Sequence, residues 1–180
     1  MILIKGKEDL VEFSILQSIF FVLFAINLLV LSFYDLKYKA VPDYLLLIAF
    51  ITSFFVTKLD FIEALRNAFI CAGAAVLLNF LVTFYIQNIK ARILKDETLR
   101  TQTALGEGDI PIIATLGIIL GLESTLIAIL LSAIIAIIQS IYFKFIKKEN
   151  EIPFIPSLVF GFFVEYFFSI TTIFKDFYWD

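Results

Sequence analysis

Long apolar runs separated by short clusters of charge set the pattern of this chain. Residues 13–34 form the first uninterrupted run. About 20 apolar residues at 1.5 Å each cross a hydrocarbon core of about 30 Å, so this run predicts a first membrane helix. A dozen mixed-charge residues precede it, with Lys5, Lys7, Glu8, Asp9 and Glu12, and read as a polar or interfacial entry. The polar turn Asp35-Leu-Lys-Tyr-Lys-Ala-Val-Pro42-Asp43 follows. Pro42 disfavours helix at Val41, and Asp43 is suited to cap what comes next. Helix two is predicted over residues 44–57, with an outer turn at Lys58-Leu-Asp60. Helix three is predicted over residues 61–90, long enough to protrude from the bilayer, with Arg66 placed to snorkel.

Residues 90–105 form the one sizeable hydrophilic loop, carrying Arg92, Lys95, Asp96, Glu97 and Arg100, and Gly106-Glu107-Gly108-Asp109 closes it. The apolar stretch 110–143 is broken near Gly121-Leu-Glu123-Ser, which divides it into helices four and five. A charged loop at 144–151, a stiff apolar re-entry through Pro153 and Pro156, and helix six over 157–174 complete the chain.

The expected fold is therefore all-α: a polytopic membrane protein of about six transmembrane helices in one domain spanning residues 1–180. Six helices put the loops after helices one, three and five on one side. That side holds Lys37, Lys39, Lys90, Arg92, Lys95, Arg100, Lys144, Lys147 and Lys148; the other holds Lys5, Lys7, Lys58, Arg66 and Lys175. The positive-inside rule makes the first side cytoplasmic and places both termini outside. Asp35 and Asp109 then share the cytoplasmic face. Helix two is short for a span, and so is 110–143 for two, which sinks both Asp-bearing turns below the headgroups. An ionisable residue at that depth marks a functional site by default.

Composition narrows the chemistry. The 180 residues are 61% hydrophobic, include 22 Phe and are only 17% charged, which a soluble core of this size does not accommodate. A net charge of −3 without a basic patch argues against nucleic acid as a partner and leaves the lipid bilayer as the surroundings. The first run is too long for a signal-peptide core and lacks a small-residue cleavage site. One cysteine, Cys71, and no histidine remove disulfides, Cys-x-x-Cys zinc sites and imidazole catalysis. Neither metal nor cofactor is expected.

Carboxylates remain as the main reactive groups. Two of them brought together in a low-dielectric site do not both ionise freely, so one keeps a proton while the other acts as base. This is aspartic-protease chemistry, with Asp35 and Asp109 as the candidates. A helix N-terminus at Asp109 favours its charged form and assigns the shared proton to Asp35. Competing readings stand beside this one. Gly106-Glu107-Gly108-Asp109 also fits a glycine turn with Asp109 as helix N-cap, and Asp43 competes with Asp35 for the first role while fitting a cap better. Glu107 is either a solvated loop carboxylate or a contact for a basic peptide. Glu165, midway along helix six, is expected to be structural, protonated or bonded to Asn27 or Asn79.

The three polar blocks together resemble the prepilin peptidases, or type IV leader peptidases, of the membrane aspartic proteases with a Gly-x-Gly-Asp motif. Asp35-Leu-Lys-Tyr-Lys-Ala-Val-Pro-Asp-Tyr resembles the family's first aspartate, basic stretch and helix start. Gly-Glu-Gly-Asp-Ile-Pro, with Gly117 and Gly121 downstream, resembles its second aspartate block. Ile-Pro-Phe-Ile-Pro-Ser-Leu-Val-Phe-Gly resembles its C-terminal Pro-Phe-Gly-Pro segment. The resemblance implies Asp35 and Asp109 as the catalytic pair, with Gly106, Gly108, Pro42, Pro153 and Pro156 as motif support. It also implies cleavage of the short basic leader of type IV prepilin or pseudopilin-like precursors at the cytoplasmic face of a bacterial or archaeal inner membrane. Pro111 and Ile155 depart from the family pattern. The N-terminal segment with paired cysteines that accompanies N-methyltransferase activity is not expected here. Tyr34-Asp35 also matches the presenilin and signal-peptide-peptidase branch, but no Pro-Ala-Leu stands near the C-terminus. A small proton- or cation-coupled transporter, or a non-catalytic assembly subunit, is the reading from outside the proteases.

Overall fold

A computed structural model describes residues 15–143 and 153–179. The predicted N-terminal entry, the helix start at Phe13 and the charged loop at 144–151 lie outside the described residues. Every regular element among the described residues is helical. In order these are α1 (Ile15–Tyr38), α2 (Asp43–Val56), α3 (Phe61–Phe84), a π-helical turn (Tyr85–Lys90), α4 (Ala91–Leu94), a 3-10 turn (Glu97–Thr101), α5 (Asp109–Tyr142), α6 (Ile155–Phe168) and α7 (Ile170–Trp179). Three segments are long and apolar enough to cross a membrane: Leu16–Tyr38, Phe61–Leu94 and Asp109–Tyr142. α6 and α7 make a fourth if joined, although they meet at 54°. α2, with 14 residues, is shorter than a span.

α5 is folded on itself. A straight helix of its 34 residues would measure about 51 Å. Yet Gly108 at its start packs against Ile155, and near its end Gln139 Oε1 accepts the Ser157 hydroxyl at 2.8 Å. Both ends therefore lie beside the start of α6. The reversal sits at Gly121, whose φ of 77° and ψ of 173° belong to a region essentially restricted to glycine. The division predicted there is present: two helical limbs meet at Gly121 with a change of direction. The first limb packs on α3, where Gly117 lies against Cys71 and the Asn67 carbonyl. The second packs on α6, where Gly161 lies against Ser132 and the Ala128 carbonyl. Phe24, Leu28, Leu31, Ile112, Leu116, Leu158 and Phe162 fill the space between α1, the first limb and α6.

Three sequence expectations need correction. α1 runs to Tyr38 rather than Tyr34, so Asp35 lies in its last turn and not in the turn beyond it. No breaker occurs before Lys39, whose left-handed backbone (φ 53°) ends the helix while its N–H donates to the Asp35 carbonyl at 2.9 Å. At α2 the cap position belongs to Pro42, whose extended backbone (φ −69°, ψ 131°) suits it; Asp43 is the first helical residue and its side chain makes no cap bond. Helix six stops at Phe168 because Ser169 is left-handed (φ 48°) and hands the chain to α7. Buried Glu165 serves that corner: its carboxylate oxygens both accept the Thr171 N–H at 3.3 Å. Its expected partners are engaged elsewhere, Asn27 with the Leu45 carbonyl and Asn79 with the Leu105 N–H.

Candidate active site

The last turn of α1 carries Asp35 into the protein, where it is 8% exposed. Its Oδ2 accepts the Ile155 N–H at 3.0 Å, and the Phe154 N–H is also directed at it. These donors exist because α6 begins here. The first N–H groups of a helix have no partner inside it, and they point outward with the positive end of the helix dipole. Pro156, at the second helical position, lacks an N–H where none is needed. Pro153 is buried just ahead of this entry and Pro156 half-buried.

Asp109 opens α5 and is 5% exposed. It is not the N-cap: Gly108 holds that position. The Asp109 carboxylate instead turns back to accept the Gly106 N–H at 2.9 Å, while its own N–H donates to the Gly106 carbonyl at 3.2 Å. The motif is a closed turn around its own carboxylate. Gly108 is glycine for a steric reason, since a Cβ there would fall inside the contact distance of Val41 Cγ2 and within 3.6–3.7 Å of Ile155 and Leu46. Val41 precedes half-buried Pro42 in the turn after Asp35. The three polar blocks of the sequence therefore meet at one place: the Val41 turn, the Gly108 turn and the start of α6. Each carboxylate accepts a backbone N–H, from Ile155 at Asp35 and from Gly106 at Asp109.

A clamp from α3 holds the approach to the motif. Asn79 Oδ1 accepts the Leu105 N–H at 2.9 Å and the Thr83 hydroxyl at 3.2 Å, and Thr83 Oγ1 accepts the Ala104 N–H at 3.0 Å. Glu107 and Asp43 are exposed and stand outside this constellation. Asp96, in the loop, accepts the Thr98 hydroxyl at 2.7 Å and the Thr98 N–H at 3.0 Å, and these bonds hold its carboxyl below the usual range. Sequence reasoning missed Val41, Asn79, Thr83 and the Ile155 N–H. A polar pair at i, i+4 inside an apolar run was the available signal for Asn79 and Thr83.

The sequence profile of the type IV leader peptidase family matches residues 22–141, two-thirds of the chain. The chain belongs to that family. No curated protein and no solved structure matches it significantly. Membership points to proteolysis rather than transport and favours the leader-peptidase over the presenilin branch. The part matched to the leader peptidase family contains Asp35, Pro42 and Gly106-Glu107-Gly108-Asp109. It ends before Pro153 and Pro156, so the donor that orients Asp35 comes from beyond it.

Proposed function

We propose that the chain is a membrane aspartic endopeptidase that removes the short basic leader of type IV prepilin or pseudopilin-like precursors. The observation that carries this reading is the burial of Asp35 and Asp109 at one junction of three chain segments, inside a leader-peptidase-family chain. Of the pair, the ionised carboxylate takes a proton from water, whose oxygen then attacks the scissile carbonyl carbon. The protonated partner hydrogen-bonds the carbonyl oxygen as negative charge develops there. When the tetrahedral intermediate collapses, the C–N bond breaks and the leaving amine receives a proton from the pair. Two carboxyls and one water complete the cycle, and no cofactor or metal takes part.

The site faces the cytoplasm of a bacterial or archaeal cell in this reading, with six crossings, both termini outside and residues 1–180 acting as one domain. The precursor is a single-pass protein whose scissile bond lies at the hydrocarbon boundary, reached by its leader from the loop side. In this reading Glu107, exposed two residues before Asp109, meets a leader cation. The test is incubation of the purified chain with candidate precursors in lipid nanodiscs, followed by mass measurement of the product. A new N-terminus directly ahead of the substrate's apolar helix is expected. An intact precursor across the candidate set, or cleavage within the helix, would overturn the assignment.

A further inference from the structure

Beyond the aspartate pair, the end of the Phe61–Leu94 segment borders a second chemical environment, open to the surface. A cavity of about 290 Å³ is lined by Gln87 and Asn88 of the π-helical turn, Arg92 of α4 and Arg100 of the 3-10 turn. Its charge balance is positive. Arg100 Nε lies 3.1 Å from Glu97 Oε2, an exposed pair, which leaves both terminal guanidinium nitrogens for other partners. Among the described residues Arg92 has no ion-pair or hydrogen-bond partner. Gln87 Nε2 donates to the Gln102 carbonyl at 3.0 Å and ties the cavity wall to the strand of loop that leads into Gly106. The π turn itself widens the helix where these side chains emerge, a distortion frequent at functional sites.

Depth identifies what fits. About 20 residues of helix cover the hydrocarbon core, so counting from Arg66, the last charged residue before the apolar run, the core ends near residue 86. Gln87, Asn88 and Arg92 then occupy the headgroup layer. Guanidinium groups in that layer recognise phosphate oxygens through paired, charge-assisted hydrogen bonds, and amide side chains add neutral donors.

We propose that this cavity binds a phosphate-bearing anion, with Arg92 and Arg100 as its charged ligands. An anionic phospholipid headgroup and free phosphate share this chemistry. Either one would brace the loop that ends in the Gly106 turn.

The experiment is calorimetric titration of the full purified chain in neutral detergent with three probes: short-chain phosphatidylglycerol, short-chain phosphatidylcholine and inorganic phosphate. Saturable binding of phosphatidylglycerol, weakened about tenfold or more in Arg92→Gln and in Arg100→Gln, is expected. Phosphatidylcholine is expected to bind weakly, because its choline cation faces the arginines. Equal binding of inorganic phosphate names free phosphate as the occupant, and binding of the lipid alone names the headgroup. Hydrogen exchange on the unaltered chain supplies a readout independent of the variants, with slower exchange over residues 85–102 when the probe is added. The proposal fails if neither anion saturates, if Arg92→Gln or Arg100→Gln binds as the parent does, or if exchange over 85–102 is unchanged.

Discussion

The Ile155 N–H donates to Asp35 Oδ2 at 3.0 Å across 120 positions of sequence. This bond makes the entry of α6 part of the candidate site, since the same residue packs against Gly108 of the motif that carries Asp109. A carboxylate held by a helix N-terminus is fixed in orientation before any substrate arrives. Each member of the pair is therefore held by a backbone donor, Asp35 by the Ile155 N–H and Asp109 by the Gly106 N–H.

Gly108 should tolerate no side chain while Val41 stays in place. A methyl group there forces the two turns apart, and overpacking of this kind costs about 1–3 kcal/mol. Gly108→Ala is expected to lower kcat/KM for precursor cleavage by about tenfold or more. Adding Val41→Ala should restore a substantial part of the loss, because it removes the atom that collides. Equal activity in Gly108→Ala and the parent would show that the contact does not position Asp109.

Asn79 should act through the loop rather than through chemistry. Asn79→Ala leaves the part-buried Leu105 N–H without its acceptor, a loss of about 1 kcal/mol. Amide exchange at Leu105 should quicken and cleavage should slow, with membrane insertion unaffected. Asn79→Asp keeps an acceptor and should retain the slow exchange. Slow exchange at Leu105 in the alanine variant would remove Asn79 from the account.

Asp43 should be dispensable. Its side chain makes no cap bond, is exposed and contributes only a helix-dipole interaction of about 0.3–1 kcal/mol. Asp43→Asn is expected to process precursors within about threefold of the parent. Complete loss of cleavage would return Asp43 to candidacy for the first catalytic position.

Asp96 should titrate below an unstructured aspartate, because Thr98 bonds to its charged form. A depressed folded pKa adds stability to the Glu97–Thr101 turn above the unfolded pKa, and that stability is lost as pH falls through the folded value. The turn should therefore be indifferent to pH from neutrality down to about pH 5. A carbon-13 titration of the Asp96 carboxyl checks this, with a midpoint at or above the unstructured value as the contrary result.

Much of the fold was legible because apolar periodicity and breakers act locally. Pro42, the Gly-Glu-Gly-Asp turn and the Gly121 break all fall where the chain changes element. The errors came from tertiary contacts. Asp35 belongs to α1 because nothing before Lys39 stops that helix, and Glu165 is stable inside the protein because a second helix begins beside it. The two aspartates stood out from their motifs as candidates, and both are buried. Their setting was not legible, since the Ile155 N–H and the Val41 contact depend on how distant helices pack and leave no mark on local composition.

The most direct measurement is cleavage by purified Asp35→Asn and Asp109→Asn chains, each first shown to insert and to keep the parent's helical content. Asparagine preserves shape and still accepts the Ile155 or Gly106 N–H, but it cannot exchange a proton in the way the pair requires. Both variants should lose about 10²–10⁴ in kcat on a precursor that the parent processes, as expected for removal of a general acid–base group. Processing at the parent's rate by either variant would contradict the shared-proton mechanism.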